Sequence, residues 1–198
     1  MKGFNNYTER EEFSIFKKFF LDHGRCKEMK KKEYFAEQGI VTTHAAYVEK
    51  GMFRYVCTDE NGCEHIVGYA FAGEYVGDYP QCIKKDKAMV SIQATTDSLI
   101  YYASAQEIIN FFSTDKSTQE LEKILAEELF VQTYKRLLDI YCKTPTELYV
   151  DLVRRYPDFL NYITLREIAS FLRVTPETIS HIPVSYTHLR AHETDSYL

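Results

Sequence analysis

Between residues 164 and 182 the chain reads TLREIASFLRVTPETISHI, and its polar residues are spaced for recognition at the start of a helix. Thr175 suits an N-cap, Pro176 the first helical position, and Glu177 and Thr178 the first turn. Ile179 and Ile182 lie three apart and face back toward a core, which leaves Pro176, Glu177, Thr178 and His181 outward. Polar groups so placed can reach base edges in a major groove, while hydroxyls and helix N-terminal N–H groups can bond phosphate. Glu177 can accept from a cytosine amino group, and His181 can meet a phosphate or a guanine. Thr175, Thr178 and Ser180 suit contacts to the nucleic-acid backbone. A plain helical hairpin without a DNA role is the competing reading.

Other chemistry is thinner. Cys57, Cys63 and His65 come nearest to a metal-ligand set, but the five cysteines are scattered without a C-x-x-C pair and read as reduced thiols on ordinary elements. His44 and His65 lack the His-x-His spacing and carboxylate partner of a cupin-type metal enzyme. No catalytic residue, metal site or cofactor is expected. The net charge of −5 argues against nonspecific coating of nucleic acid, which needs many phosphate-neutralising cations. A basic cluster at Lys27, Lys30, Lys31 and Lys32 and an acidic one at Glu120, Glu122, Glu127 and Glu128 read as solvated faces.

The elements that must hold the recognition residues follow from periodicity. Thr164 can cap a short helix with Glu167 at the reciprocal position, and Leu165, Ile168, Ala169 and Leu172 form its expected buried face. A turn at Arg173-Val174 joins the two helices, with Val174 as an apolar plug and small Ala169 at their close approach. Upstream, Thr144, Pro145 and Glu147 open another helix that runs to about Tyr156. Before it, residues 117–141 read as one long helix whose apolar positions exceed a single stripe, so one face can serve a partner helix.

The first half has a different texture. Residues 11–21 read as an amphipathic helix with Phe13, Phe16, Phe20 and Leu21 at helical spacing. Residues 26–103 are short runs rich in Tyr, Val, Phe, Ile and Thr, punctuated by glycines, as in an antiparallel barrel or sandwich. Asn61-Gly62 predicts a hairpin joining residues 52–57 and 64–69, and Thr95-Thr96-Asp97 a second one joining 88–94 and 98–102. With 198 residues and 45% hydrophobic content, the chain can bury a sizeable core. No apolar run approaches the roughly 20 residues of a membrane span, and the polar N-terminus lacks a signal pattern, so a cytoplasmic location is expected.

The stretch from Phe71 to Asp78 (FAGEYVGD), the long helix, and the stretch from Ile168 to Ser180 together resemble the Crp/Fnr family of transcription regulators over residues 13–182. The resemblance implies an α+β chain: an antiparallel β-roll related to cyclic-nucleotide-binding domains, then a long dimerisation helix and a C-terminal winged helix-turn-helix, here truncated. It implies a roll over residues 1–114 with the N-terminal helix, a dimer helix over 115–142, and a DNA-binding unit over 143–182. Family members that take cyclic nucleotides hold the ribose with a Gly-Glu pair and the phosphate with an Arg beyond it, so Gly73 and Glu74 are the implied effector residues. Between Tyr79 and Ser91 only Lys84, Lys85 and Lys87 replace that Arg, and lysine lacks the bidentate fork, which counts against a cyclic nucleotide as effector. With only Cys26 near the N-terminus, an iron–sulfur cluster is not expected either.

Two residues depart from the family at the DNA-binding stretch: Arg173 stands where Gly is common, at a turn position suited to positive φ, and His181 where Arg is usual. Pro183 ends the second helix after about two turns, and residues 183–198 look like a translated adapter sequence rather than a native basic helix end. His188 and His192 in that tail are spaced i, i+4. From residue 144 to 182 the charge is 4 − 5 = −1, so weak DNA binding or none is expected of this chain. The expected partners are DNA, a second copy of the chain and a small-molecule effector. The alternative is a stand-alone roll that binds a ligand without DNA.

Overall fold

The computed structural model describes residue 5 and residues 11–182, so the tail with His188 and His192 lies outside the described residues. The described residues divide into two compact units, one up to Phe130 and the other from Val131 onward.

In the first unit, eight strands form two antiparallel four-stranded sheets. They are β1 (Arg25–Met29), β2 (Tyr34–Ala36), β3 (His44–Lys50), β4 (Met52–Thr58), β5 (Glu64–Phe71), β6 (Tyr75–Val76), β7 (Ser91–Ala94) and β8 (Ser98–Ser104). One sheet runs β1-β8-β3-β6 and the other β2-β7-β4-β5. Met29, Ala46, Val48, Phe53, Ala70, Val76, Ile92 and Ile100 fill one core of the roll.

A second core forms where helices cover β3 and β8. It gathers α1 (Ser14–His23), α3 (Ala105–Phe112) and the start of α4 (Lys116–Cys142). Phe13, Phe16, Phe19 and Phe20 meet Ile108, Phe112, Leu121 and Leu125 there. β3 serves both cores because side chains alternate across a strand: Ala45 and Tyr47 face the helices, Ala46 and Val48 the roll. Leu21, expected in the buried stripe of α1, is 38% exposed, and Phe19, three residues after Phe16, is buried instead.

The β4–β5 hairpin forms as the sequence predicts. Asp59 Oδ1 accepts from Asn61 N and Cys63 N, both at 2.9 Å, and Gly62 adopts φ +78°. The second predicted hairpin does not form. β7 pairs with β2 and β4 in one sheet, β8 with β1 and β3 in the other. Thr95-Thr96-Asp97 instead turns the chain from one sheet to the other, with Thr95 N donating to Met52 O at 2.8 Å and Asp97 Oδ1 accepting from Lys31 N at 2.9 Å. Turn-forming residues mark a change of direction, and that change suits a sheet corner as well as a hairpin.

α3 is opened by a capping box, in which Glu107 N donates to Ser104 Oγ at 3.3 Å and Ser104 N to Glu107 Oε2 at 2.7 Å. The Ser104 hydroxyl and N–H, with Arg25 nearby, hold the Glu107 carboxyl below its ordinary range. A carboxylate lowered in the folded state contributes stability above its unfolded range and loses it as pH falls through the lowered folded value. Glu107→Gln keeps the cap geometry without the titration. The melting temperature of the native protein is therefore expected to fall more steeply with acidification than that of the variant, and parallel profiles would refute this.

In the second unit, α5 (Pro145–Arg155), a 3₁₀ turn (Pro157–Asn161), α6 (Leu165–Leu172) and α7 (Pro176–Ser180) follow the end of α4. Their core is Tyr149, Leu152, Tyr156, Ile163, Ile168, Ala169, Phe171, Leu172 and Ile179. Leu165, expected in the buried face of α6, is 48% exposed, and Phe171 is buried instead. On an eight-residue helix the buried arc is centred on Ile168, and Phe171 and Leu172 lie on it. No helix among the described residues is long and apolar enough to cross a membrane.

Candidate nucleic-acid interface and effector pocket

The start of α7 is built by backbone chemistry. Thr164 and Glu167 form a reciprocal capping box on α6, with Thr164 N donating to Glu167 Oε2 at 3.0 Å. At its other end, Arg173 N donates to Ser170 O at 3.1 Å and Val174 N to Ala169 O at 2.9 Å, the paired bonds of a Schellman turn. That turn requires the left-handed conformation, and Arg173 adopts it at φ +57°. Thr175 then caps α7, accepting from Thr178 N at 3.3 Å, with Pro176 in the first turn.

This places the candidate DNA-contacting residues on one outer surface. Thr175, Pro176, Glu177, Ser180 and His181 are exposed, while Thr178 is half-buried and its hydroxyl lies 3.1 Å from that of Thr175. Ser180 donates its hydroxyl to Glu177 O at 2.8 Å. Glu177 is held below the ordinary glutamate range, first by its own backbone N–H and then by Thr175, and so stays ionised at the helix start. An ionised carboxylate there repels phosphate and suits a base amino group.

Gly73 and Glu74 form a turn that ends β5 and leads into β6. Gly73 adopts φ +91°, its N–H donates to Val48 O at 2.8 Å, and Val48 N donates to Glu74 O at 2.9 Å. Glu74 is wholly buried. Its Oε2 accepts from Phe71 N at 3.1 Å and from Asn5 Nδ2 at 2.7 Å, and its Oε1 accepts from Asn5 N at 2.7 Å. Asn5 also donates to Tyr69 O at 3.3 Å. The carboxylate is therefore met by donors of the chain itself, a role for Asn5 that no sequence pattern announces.

Downstream, Asp78 leads into α2 (Tyr79–Lys84) and accepts from Met89 N at 2.6 Å, which closes the segment between them. Lys84, Lys85 and Lys87 are exposed, and Lys85 reaches Gln106 at 3.4 Å. Cys82 is buried within the helical core, and burial pushes its thiol up to about 11, so it is inert packing. At the β4–β5 hairpin, His65 bonds Asp59 at 2.9 Å, with Cys57 and Cys63 as free thiols. Among the described residues no group of three or more His, Cys, Asp or Glu is placed to hold a metal.

Two sheets in a roll, an apposed helical layer and a long following helix make up a known arrangement. Residues 26–115 match the cyclic nucleotide-binding domain. That domain covers β1 to the end of α3, including Gly73 and Glu74. No curated protein sequence matches the chain. Among solved structures it is similar to FixK2 from Bradyrhizobium japonicum, at 17% identity over 85% of this chain and 86% of that one, with a TM-score of 0.69. A putative Crp/Fnr-family transcriptional regulator from Eubacterium rectale superposes with a TM-score of 0.67, at 17% identity over 85% and 81% of the two chains. A CooA mutant from Carboxydothermus hydrogenoformans gives 0.66, at 16% identity over 85% and 78%. The chain thus shares the fold of these structures, built on a cyclic nucleotide-binding domain.

Proposed function

We propose that the chain is a dimeric, sequence-specific DNA-binding regulator controlled by a small molecule in the cyclic nucleotide-binding domain. The reading assigns residues 1–114 to the sensor, 115–142 to the dimer helix and 143–182 to a helix-turn-helix, with α7 as the recognition helix. One observation carries it. The Schellman turn and the Thr175 cap present Pro176, Glu177, Ser180 and His181 on the open side of a helix whose other side, at Ile179, is buried.

The effector is proposed to act at Gly73 and Glu74. Any ligand that bonds the Glu74 carboxylate must supply donors in place of those of Asn5. The exposed lysines of the Tyr79–Ser91 segment favour an effector other than a cyclic nucleotide.

Footprinting on the DNA upstream of its own gene tests the reading. Weak, salt-sensitive protection of a two-fold symmetric site is expected, because the charge from residue 144 to 182 is 4 − 5 = −1. Glu177→Ala is expected to relax preference at one base pair of each half-site by roughly 10- to 100-fold. The absence of any protected site at low salt would favour the second reading, a ligand-binding roll without DNA, which the acidic balance supports.

A further inference from the structure

The second half of α4 has two opposed faces. Gln132, Arg136, Asp139 and Ile140 are half-buried at helical spacing, while Tyr134, Leu137, Leu138 and Tyr141 are exposed on the far side. From the half-buried face, Arg136 reaches the end of α6. Its Nη2 donates to Phe171 O at 3.0 Å, and its guanidinium carbon lies 3.8 Å from the centroid of the Phe171 ring.

Both contacts bear on the turn that sets α7. A helix leaves its last carbonyls without intrahelical donors, and in α6 the turn itself serves Ala169 O and Ser170 O. Phe171 O, the next in line, accepts from Arg136, which also brings a positive charge to the negative end of the helix. A planar guanidinium can lie over the ring and donate a separate N–H to the carbonyl of the same residue, and lysine, a compact ammonium on a flexible stem, is not its equivalent at such a site. Two residues beyond Phe171 comes left-handed Arg173, and two beyond that the Thr175 cap.

We propose that Arg136 is the positioning residue of the recognition helix: it pins the α6–α7 turn to α4, so the bearing of α7 follows the second half of α4. This assignment rests on α7 being the DNA-reading helix, but its first test requires no DNA. Hydrogen exchange is measured on the full chain as Arg136→Met, Arg136→Lys, Phe171→Leu and the double variant Arg136→Met/Phe171→Leu. Arg136→Met is expected to speed exchange at Arg173, Val174, Thr178 and Ile179 about ten-fold, leaving α5 unchanged. Arg136→Lys should behave in the same way, and adding Arg136→Met to Phe171→Leu should cost less than Arg136→Met costs the native chain, because only the bond to the carbonyl is left to lose.

Unchanged exchange in the turn would overturn the proposal. So would an equal rise throughout α5, α6 and α7, the mark of mere packing, or full rescue by lysine, the mark of charge alone. If the turn loosens as expected while the native chain protects no DNA, the positioning of α7 stands and the DNA-binding reading falls.

Discussion

Gly51→Ala is expected to destabilise the roll by about 3 kcal/mol and lower its melting temperature by roughly 10 °C. Gly51 joins β3 in one sheet to β4 in the other and adopts φ +104°, a backbone region that L side chains rarely enter. A Cβ there would also stand 2.5 Å from Ser98 Cβ and 2.7 Å from Ser98 Cα, atoms fixed at the start of β8. Gly39→Ala is the control, since Gly39 has φ +82° but nothing within 4 Å of an added Cβ. Thermal denaturation of both variants separates backbone strain from steric conflict. Equal losses would remove the steric argument.

Leu137→Glu combined with Tyr141→Glu is expected to weaken self-association at least about 100-fold, as buried unpaired charges do. The exposed side of α4 carries Phe130 at 69%, Tyr134 at 50%, Leu137 at 48% and Tyr141 at 81% exposure. Their spacing of i, i+4, i+7 and i+11 is a seam that a second copy of the same helix can fill. Sedimentation equilibrium should find the native chain dimeric and the double variant monomeric. A native chain that stays monomeric at high concentration would sink the dimer helix, and an equally dimeric variant would move the interface elsewhere.

Much of the fold could be read from residue patterns because local chemistry decides it. The long helix expected over residues 117–141 is Lys116–Cys142, and the helix opened by Thr144 is Pro145–Arg155. Arg173 takes the positive φ that its turn position implied. Caps, turns and the 3.6-residue period are written in adjacent residues. α3 was equally available, since Ser104 and Glu107 spell a capping box, yet the β-rich texture before it obscured the signal.

What escaped depends on residues far apart in sequence. Whether Thr95-Thr96-Asp97 makes a hairpin or a corner is settled by Met52 and Lys31, tens of residues away. β6 has two residues, too few for any period, and exists because Ala46 and Tyr47 lie beside it. In the candidate site, the polar residues of α7 were legible through their cap. The partners of Glu74 were not, because Asn5 lies 69 positions away and carries no pattern. Arg136 reads as one more cation on a helix, since its ring partner is 35 residues downstream.

The double burial of β3 makes the roll and its helical cover one melting body rather than two. Removing α1, α3 or the start of α4 would expose Ala45 and Tyr47, while opening the roll would expose Ala46 and Val48 on the same strand. Neither layer can loosen without costing the other, so amide protons of β3 should be among the slowest to exchange and should open in a single step. Strain introduced on the roll side of that strand is therefore felt at once by the aromatic cluster behind it, with no hinge required between them.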